Sequence, residues 1–426
     1  MLTKQFLESN KKIIKGKIKE RGPGYVIGKI LKKLITLEIL IIYPVVFFLC
    51  VIIRLVRPLF FIRFGSLYSE KIGPFSSRPE LNLCEQEHGI QPKGTFNIYN
   101  TGFSSFTCNR QLLNMWKRVL RVYPRSKYFW NIMRSFSFGK DHVIDTTKTS
   151  RDIHGLLEKS PVHLTFTKEE IFRAKQELLR MGINEKDKYV LIINRGQRYH
   201  IEGLPTLKNR NFDYHTFRNC SINDFIPMAE MLVLKGSTVI RMGHKVSDYM
   251  NTKNPKIIEY EKRGFRTDLL DIYLAANCRY IVGSDTGYST VSGWNFRRPI
   301  VYVNFSCFEY IEPWLSSWLF IYKKHWIKSE KRFMKVKELF DSGVSRFFRT
   351  DQYEKNGIEV INNSPKEIQD VVDEQEQRLN GTWKENDEDN ELQKIFWAHF
   401  KHSKYHGVIR SRIGANFLRE NKNLIY

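Results

Sequence analysis

A short polar turn between two apolar stretches carries the residue types best suited to bind an anion. Gly283-Ser-Asp-Thr-Gly287 follows the β-prone residues 280–282, and residues 288–295 suit a short helix before the apolar run 299–303. Small residues at a helix start leave backbone N–H groups beside the positive end of the helix dipole, which favours phosphate binding there. The residues assigned to this phosphate site are Ser284, Asp285, Thr286, Gly287 and Ser289.

The turn has two other interpretations. Asp285-Thr-Gly287 is the triplet of aspartic proteases, but those enzymes need two copies so that two carboxylates share a proton. The one companion, Asp341-Ser-Gly343, lies too close in the chain to open a second lobe. Alternatively, Ser284 and Asp285 simply cap the following helix, which is compatible with phosphate binding because both use the same helix end.

Three arginines fall where a sheet edge would gather them. Arg195 directly follows the apolar run 189–193, Arg241 ends the run 238–241, and Arg218 lies in the segment between them. Guanidinium pairs with two oxygens of a diphosphate at once, and open α/β sheets bind ligands at the carboxyl ends of their strands. The alternative for each arginine is an ordinary salt bridge in a loop.

No acid, base or metal site stands out. The candidate acids and bases are Glu70, Glu85, Glu87, His88, Asp141 and His142 in the first half, with His200 and His215 nearer the arginines. Without triad spacing they indicate structural residues more than catalysts. The six cysteines are scattered, so neither a metal site nor a disulfide framework is expected, and the P-loop and G-x-G-x-x-G patterns are absent.

The middle of the chain alternates between strand and helix patterns. Strands are predicted at 189–193, 238–241, 256–259, 280–282 and 299–303, and helices at 167–181, 223–235, 268–276 and 288–295. Thr167 and Glu170 have capping-box spacing at the first of these helices. This alternation predicts an α/β fold with a doubly wound parallel sheet.

The N-terminal part combines positive charge with an apolar run. The chain carries a net charge of +24, and residues 1–63 hold thirteen Lys or Arg against three Glu. Residues 39–53 are uninterruptedly apolar and have basic flanks, a borderline length for a membrane span. We expect an anchor at 31–62 that lies in the plane of an anionic membrane; a spanning helix and a buried core helix are the alternatives. A nucleic-acid partner is not expected.

The predicted division has four parts. They are a basic segment and anchor at 1–62, a first α/β domain at 63–165, a second α/β domain with the predicted phosphate turn at 166–385, and a helical extension at 386–426.

Several of these segments together resemble a little-characterised family of bacterial surface-carbohydrate glycosyltransferases. The segments that carry the resemblance are 63–73, 189–195, 214–219, 236–243, 268–282, 284–304 and 412–418. More distantly, the second half resembles the donor half of GT-B transferases such as lipopolysaccharide heptosyltransferases and fucosyltransferases. One departure is Ile193-Asn-Arg-Gly196, where relatives often read His-Val-Arg-Glu.

The resemblance implies a GT-B-like fold, in which two Rossmann-like domains face a cleft, with 63–165 as the acceptor-side domain and 166–385 as the nucleotide-sugar-binding domain. It implies transfer of a sugar from a nucleotide-sugar to a lipid-linked or surface-glycan acceptor at the cytoplasmic face of the inner membrane, with no further cofactor and no metal. Arg195 and Arg241 would neutralise the leaving diphosphate. Gly65, Ser66 and Gly73 would belong to an acceptor-side loop. A sugar-phosphate transferase and an inactive membrane scaffold with the same fold remain the alternatives.

Overall fold

The computed structural model describes residues 41–102, 106–145, 150–196, 213–246 and 248–426. The chain divides into two compact units, each built from segments that are separated in the sequence. The first comprises Met1–Gly65, Gly94–Ile98 and Arg125–Ile144, and the second comprises Ser66–Lys93, Tyr99–Pro124 and Asp145–Tyr426. The four functional parts named from the sequence stay a prediction.

A parallel sheet of seven strands organises the second unit, in the order β13-β9-β8-β7-β4-β5-β6. Its strands are β4 (Tyr189–Ile193), β5 (Thr238–Arg241), β6 (Ile257–Glu259), β7 (Ile281–Gly283), β8 (Ile300–Phe305), β9 (Leu319–Tyr322) and β13 (Arg412–Ile413). Every neighbouring pair runs parallel. The predicted α/β class with a parallel sheet is therefore confirmed.

The predicted strands are found because parallel strands are covered on both faces. All residues of β4 and β8 are buried, so each reads in the sequence as an unbroken apolar run. The predicted bounds of β4 and β5 match the structure, and the other three predicted strands are displaced by one or two residues.

The order of the strands reverses between β4 and β7. From β4 the chain steps outward through β5 to β6, returns to the other side of β4, and continues through β7 and β8 to β9. At such a reversal the loops after the two central strands diverge and leave a crevice at their carboxyl ends, where open α/β sheets bind ligands.

Eleven helices are described in the second unit. They span Ile72–Glu87, Arg110–Val119, Lys168–Arg180, Ile226–Leu234, Asp268–Asn277, Val336–Asp341, Thr350–Lys355, Pro365–Asn380, Asp387–Ala398, Ala415–Glu420 and Lys422–Ile425. The predicted capping box is present, with Thr167 and Glu170 each accepting from the other's backbone N–H. The helix predicted at 288–295 begins at residue 289 and ends in a π-helical turn, Val291–Asn295.

Two smaller sheets complete the described strands. One has the order β1-β2-β3, formed by β1 (Phe61–Ser66), β2 (Thr95–Asn100) and β3 (Arg121–Val122). The other is antiparallel with the order β11-β10-β12, formed by β10 (Lys324–Ile327), β11 (Arg332–Phe333) and β12 (Ile358–Ile361).

Residues 41–55 of the first unit are helical, and a second helix of that unit spans Lys127–Ser135. Along 41–55, Val46 and Cys50 are buried. Five apolar residues spaced three or four positions apart form an exposed stripe: Ile41, Val45, Phe48, Ile52 and Leu55. None of the helices in the described part of the chain is both long enough and apolar enough to span a membrane. Residues 31–40 of the predicted anchor lie outside the described residues.

His325 on β10 is a buried histidine with an unusual environment. Neither of its ring nitrogens has a hydrogen-bond partner among the described residues, and its ring lies against Tyr353, with 5.6 Å between ring centroids. Burial, and then the nearby Lys323, lower the pKa of His325 from 6.5 to about 4. The folded protein therefore keeps this imidazole neutral.

This histidine predicts a loss of stability in acid. As pH falls from 6.5 towards 4, the unfolded chain binds a proton here that the folded protein excludes, so the free energy of unfolding falls, by about 2 kcal/mol at pH 5. We expect the Tm of His325→Phe, measured by calorimetry, to fall by less than the Tm of the wild type between pH 7.5 and pH 5. The control His402→Phe, at an exposed histidine, should follow the wild type. Equal pH slopes for His325→Phe and the wild type would contradict the prediction.

Candidate functional site

A cavity of about 560 Å³ opens at the carboxyl ends of β4, β5 and β7. Its volume falls within the range of roughly 300–1,000 Å³ that is usual for small-molecule sites. The polar and glycine residues that line it include Lys71, Gly73, Asn194, Arg195, His215, Arg218, Arg241, His244, Asp271, Thr286 and Gly287. All of them belong to the second unit.

Arg195 lies at the reversal of the sheet. Its backbone N–H donates to Ser284 Oγ at 2.8 Å, and the Ser284 N–H donates to the Ile193 carbonyl at 3.1 Å. Gly283 permits this close approach, because a Cβ there would lie 2.9 Å from Ile193 Cγ2 and 3.0 Å from Ser289 Oγ. The segment after β4 and the turn after β7 are thereby joined at the floor of the cavity.

Arg218 forms an ion pair with Asp285 of the predicted phosphate turn. Its Nη2 lies 2.7 Å from Asp285 Oδ2 and donates to the Asp285 carbonyl at 3.0 Å. Although burial by itself raises the pKa of the Asp285 carboxyl, Arg218 and Arg195 outweigh it and lower that pKa. Asp285 therefore stays ionised and orients Arg218. The Nε of Arg218 is buried without a hydrogen-bond partner among the described residues.

Two guanidinium groups act on the space around this ion pair. Burial, and then the neighbouring Arg218, lower the pKa of Arg195 to about 10. The same two arginines act, after burial, on His215, whose pKa falls to about 4, so this imidazole is neutral. Cationic groups clustered in this way favour an anion in the cavity.

Lys323 adds a third cation beneath the arginines. Its Nζ donates to the carbonyl oxygens of Phe217 and Asn219, at 2.8 and 2.7 Å, and so holds the segment that presents Arg218. Lys323 is 1% exposed, and burial is the main reason why its pKa falls to about 8. The sequence analysis did not single out Lys323, because it follows β9 and is distant in the chain from the segment it supports.

Arg241 contributes differently from the other two arginines. Its Nη2 donates to Asn194 Oδ1 at 2.8 Å, and its Nε has no hydrogen-bond partner among the described residues. Burial lowers the pKa of Arg241, while Glu259 and Glu261 act in the opposite direction. Arg241 thus faces nearby carboxylates, whereas the main electrostatic neighbour of Arg195 is Arg218.

The predicted phosphate turn divides into lining and supporting residues. Thr286 and Gly287 line the cavity. Ser284 and Ser289 are fully buried, and Ser289 Oγ lies 3.3 Å from Thr286 Oγ1. These two serines therefore stabilise the shape of the turn, and Thr286 and Gly287 are its partly exposed and exposed residues at the cavity.

Gly73 and Gly287 lie back to back at the edge of the cavity. A Cβ on Gly73 would lie 3.0 Å from the Gly287 Cα, and a Cβ on Gly287 would lie 3.0 Å from the Gly73 Cα. Gly73 belongs to the first turn of the helix Ile72–Glu87. Of the proposed acceptor-side loop, Gly65 and Ser66 end strand β1, are buried, and lie outside the lining of the cavity, whereas residues 67–71 form the connection from that strand to the helix.

Buried polar contacts fix the helix Ile72–Glu87 in this position. Ser76 donates to the Asn295 side chain, and Glu80 forms a 2.7 Å ion pair with Arg297. Because Asn295 ends the π-helical turn that follows Gly287, these contacts bring the helix N-terminus to the phosphate turn.

The remaining candidates from the sequence lie elsewhere or are accounted for structurally. Glu85 is buried in the helix Ile72–Glu87, and Asp141 accepts from Arg57 at 2.6 Å in the first unit. His200 lies outside the described residues. Asp271, which the sequence analysis did not single out, lines the cavity; burial raises its pKa to about 6, and Arg266 contacts it at 2.8 Å.

A single group among the described residues has the spacing of metal ligands: Glu80, Cys84 and His163. Glu80 in this group is paired with Arg297 and contacts His163 Nδ1 at 2.9 Å. A guanidinium within the group opposes a bound cation. The expectation that the protein uses no metal stays a prediction.

Comparison with known proteins gives distant structural likenesses. No family model matches the chain, and no curated protein matches it in sequence. The glycosyl transferase family 9 structure from Veillonella parvula has 13% identity and a TM-score of 0.32 over 71% of this chain and 78% of that one. The E. coli ADP-heptose lps heptosyltransferase II has 13% identity and a TM-score of 0.38 over 61% and 90%.

A third neighbour is the dodecameric iron-containing heptosyltransferase TibC in complex with ADP-D-beta-D-heptose. It has 12% identity and a TM-score of 0.28, over 60% of this chain and 62% of that one. The distant resemblance to heptosyltransferases expected from the sequence is thus found again among solved structures. At these scores it carries no inference about activity, which rests on the site itself.

The contact between Gly73 and Gly287 predicts that a Gly→Ala substitution in the helix Ile72–Glu87 lowers the stability of the protein. In an unconstrained helix, Gly→Ala stabilises by about 1 kcal/mol. At Gly73 the added methyl meets the backbone of Gly287, so we expect Gly73→Ala to lower the free energy of unfolding by about 1–3 kcal/mol in chemical denaturation. Gly287→Ala should have the same sign. An increase in stability for Gly73→Ala would show that the two segments do not touch.

Proposed function

We propose that this protein is a glycosyltransferase of GT-B-like architecture. It moves a sugar from a nucleotide-sugar to a lipid-linked or surface-glycan acceptor at the cytoplasmic face of the inner membrane. The observation that carries this proposal is the convergence of three arginines, Arg195, Arg218 and Arg241, on an open cavity at the reversal of a parallel sheet.

A nucleoside diphosphate fits the charge and position of the cavity. Its two phosphates carry negative charge that pairs with guanidinium forks, and Thr286 and Gly287 offer backbone N–H groups beside them. Ordered phosphate ligands occur at this point of doubly wound sheets. The volume of about 560 Å³ leaves room for a nucleoside as well as the phosphates.

The same groups would act in the reaction. As the bond between the sugar and the diphosphate breaks, negative charge develops on the leaving phosphate. Arg195, with a guanidinium beside Arg218 and Asp285, is positioned to stabilise that charge, and Arg241 extends the cationic wall towards β5. Fixed protein cations would then do the work that a bound divalent metal does in other transferases.

A membrane partner is supported by the exposed stripe of residues 41–55. Phe48 and Leu55 are 65% and 72% exposed, which is unusual for large apolar residues that share one helix face. A helix of this kind buries its apolar face in the interface of a bilayer, and the basic charge of residues 1–63 favours anionic lipids. The in-plane anchor remains the form of membrane association that we propose.

Nucleotide binding tests the site directly. In a thermal-shift screen of detergent-solubilised full-length protein with UDP, GDP, CMP and ADP, one nucleotide should raise Tm, since a ligand at a hundred times its Kd stabilises by about 2.7 kcal/mol. Arg195→Gln should weaken binding about 10–150-fold, because a charge-assisted contact is lost. Arg180→Gln, an exposed arginine paired with Glu177, is the matched control and should bind normally. A well-folded wild type that binds none of the four would contradict the proposal.

Vesicle binding tests the stripe. We expect full-length protein to cosediment with vesicles containing phosphatidylglycerol, and the double variant Phe48→Ser with Leu55→Ser to bind at least about tenfold more weakly, because two apolar side chains are removed. Phe172→Ser with Leu234→Ser changes two exposed apolar residues of the second unit and should bind like the wild type. Unchanged binding by the first double variant would exclude the stripe as the anchor.

A further inference from the structure

A second cavity of about 240 Å³ lies on the other side of the phosphate turn. Gly73, Arg218 and Gly287 line both this cavity and the larger one, so the two adjoin along the turn. The second cavity lies beyond the carboxyl end of β8, whose residues Tyr302 and Phe305 also line it.

The lining has the chemistry of a carbohydrate site. Tyr302 and Phe305 supply aromatic rings, and Ser77 and Thr290 supply hydroxyl groups. Both hydroxyls donate to backbone carbonyls, at 3.0 Å to Gly73 and 2.7 Å to Gly287, which leaves their lone pairs able to accept from a sugar hydroxyl.

The second cavity contains two carboxyl groups among its described lining residues, Asp285 and Glu312. Asp285 is committed to Arg218 and stays ionised. Glu312 is partly buried in the segment after β8. Burial raises the pKa of Glu312 to about 7, Arg151 acts in the opposite direction, and Asp285 raises it further. The environments of the two carboxyls therefore push their pKa values apart, as in sites where one carboxyl exchanges a proton.

The neighbouring arginine is not a dedicated partner of Glu312. The three guanidinium nitrogens of Arg151 donate to the carbonyl oxygens of Tyr405, Tyr310 and Ile311, at 2.6, 3.1 and 2.5 Å. Arg151 thus holds the backbone on which Glu312 is carried and affects its charge from a distance. Interactions with the side chains of Trp294 and Tyr302 also lower the pKa of Glu312, and they hold its carboxyl at the wall of the cavity.

We propose that the second cavity binds the sugar hydroxyl of the acceptor and that Glu312 is the general base that activates it. This rests on the proposed glycosyltransferase function. The hydroxyl oxygen forms a bond to the anomeric carbon of the donor sugar as the bond from that carbon to the diphosphate oxygen breaks. The bonding pair leaves with the diphosphate, towards Arg195, and the hydroxyl proton passes to the Glu312 carboxylate and then to solvent.

In this arrangement the general base and the leaving group occupy separate cavities. The leaving group lies with the cations of the larger cavity, and the base lies in the smaller cavity across the Gly73–Gly287 contact. Arg151, Asp285, Trp294 and Tyr302 act on the pKa of Glu312, and Arg78 and Arg218 are the other charged groups that line its cavity. Because they are fixed by the fold, the base is available above about neutral pH.

The test uses full-length protein in detergent and a panel of UDP-, GDP-, CMP- and ADP-linked sugars, with water as the acceptor. Release of the nucleotide should rise with pH through about 7 in the wild type. In Glu312→Gln it should be at least about 100-fold slower and lose this pH limb, while the thermal shift with the free nucleotide is retained. Glu158→Gln, an exposed carboxyl that accepts from Ser316 in the same unit, is the matched control and should hydrolyse like the wild type.

Glu312→Asp keeps the carboxyl and should retain the pH limb at a reduced rate, which separates the loss of a base from a loss of folding. Wild-type rate and pH profile in a folded Glu312→Gln would overturn this proposal and leave the glycosyltransferase function intact. Absence of any nucleotide shift in the wild type would instead overturn the function on which it rests.

Discussion

The pairing of β4 with β7 is the constraint on which the site depends. It places the residues after two strands that are far apart in the sequence side by side, and the hydrogen bond from the Arg195 N–H to Ser284 Oγ joins them. The close packing at Gly283 favours this register, since a side chain at that position would meet Ile193 and Ser289. The cations and the phosphate turn meet because the sheet reverses at this point.

The arrangement of charge at this reversal has an energetic cost in the empty protein. Arg195, Arg218 and Lys323 lie together, and the pKa values of Arg195 and Lys323 are lowered by burial and by repulsion from Arg218. Such an arrangement gains most from a ligand that brings negative charge, and most of all from one whose negative charge increases during a reaction. Activity and stability are therefore expected to make opposite demands on these residues.

The sequence predicted the parallel strands and the convergence of three arginines because both follow from local patterns: buried strands are apolar runs, and strand ends share an edge. The helix Ile72–Glu87 was not predicted, since it contains Pro79 and buries polar residues such as Glu80 in contacts with distant partners. The pairing of Arg218 with Asp285, and the place of Glu312 beside them, depend on how loops meet in space. No periodicity in the chain encodes such meetings.

The contact between Gly73 and Gly287 has a thermodynamic consequence. Because the two backbones touch where the ligand is expected, any ligand that orders the turn at Gly287 also stabilises the docked position of the helix that begins near Gly73. By linkage, a change that loosens the docked helix must weaken the binding of the ligand by the same free energy. Amide hydrogen exchange of residues 72–87 should therefore slow when a ligand occupies the larger cavity, although most of that helix contributes no side chain to the cavity.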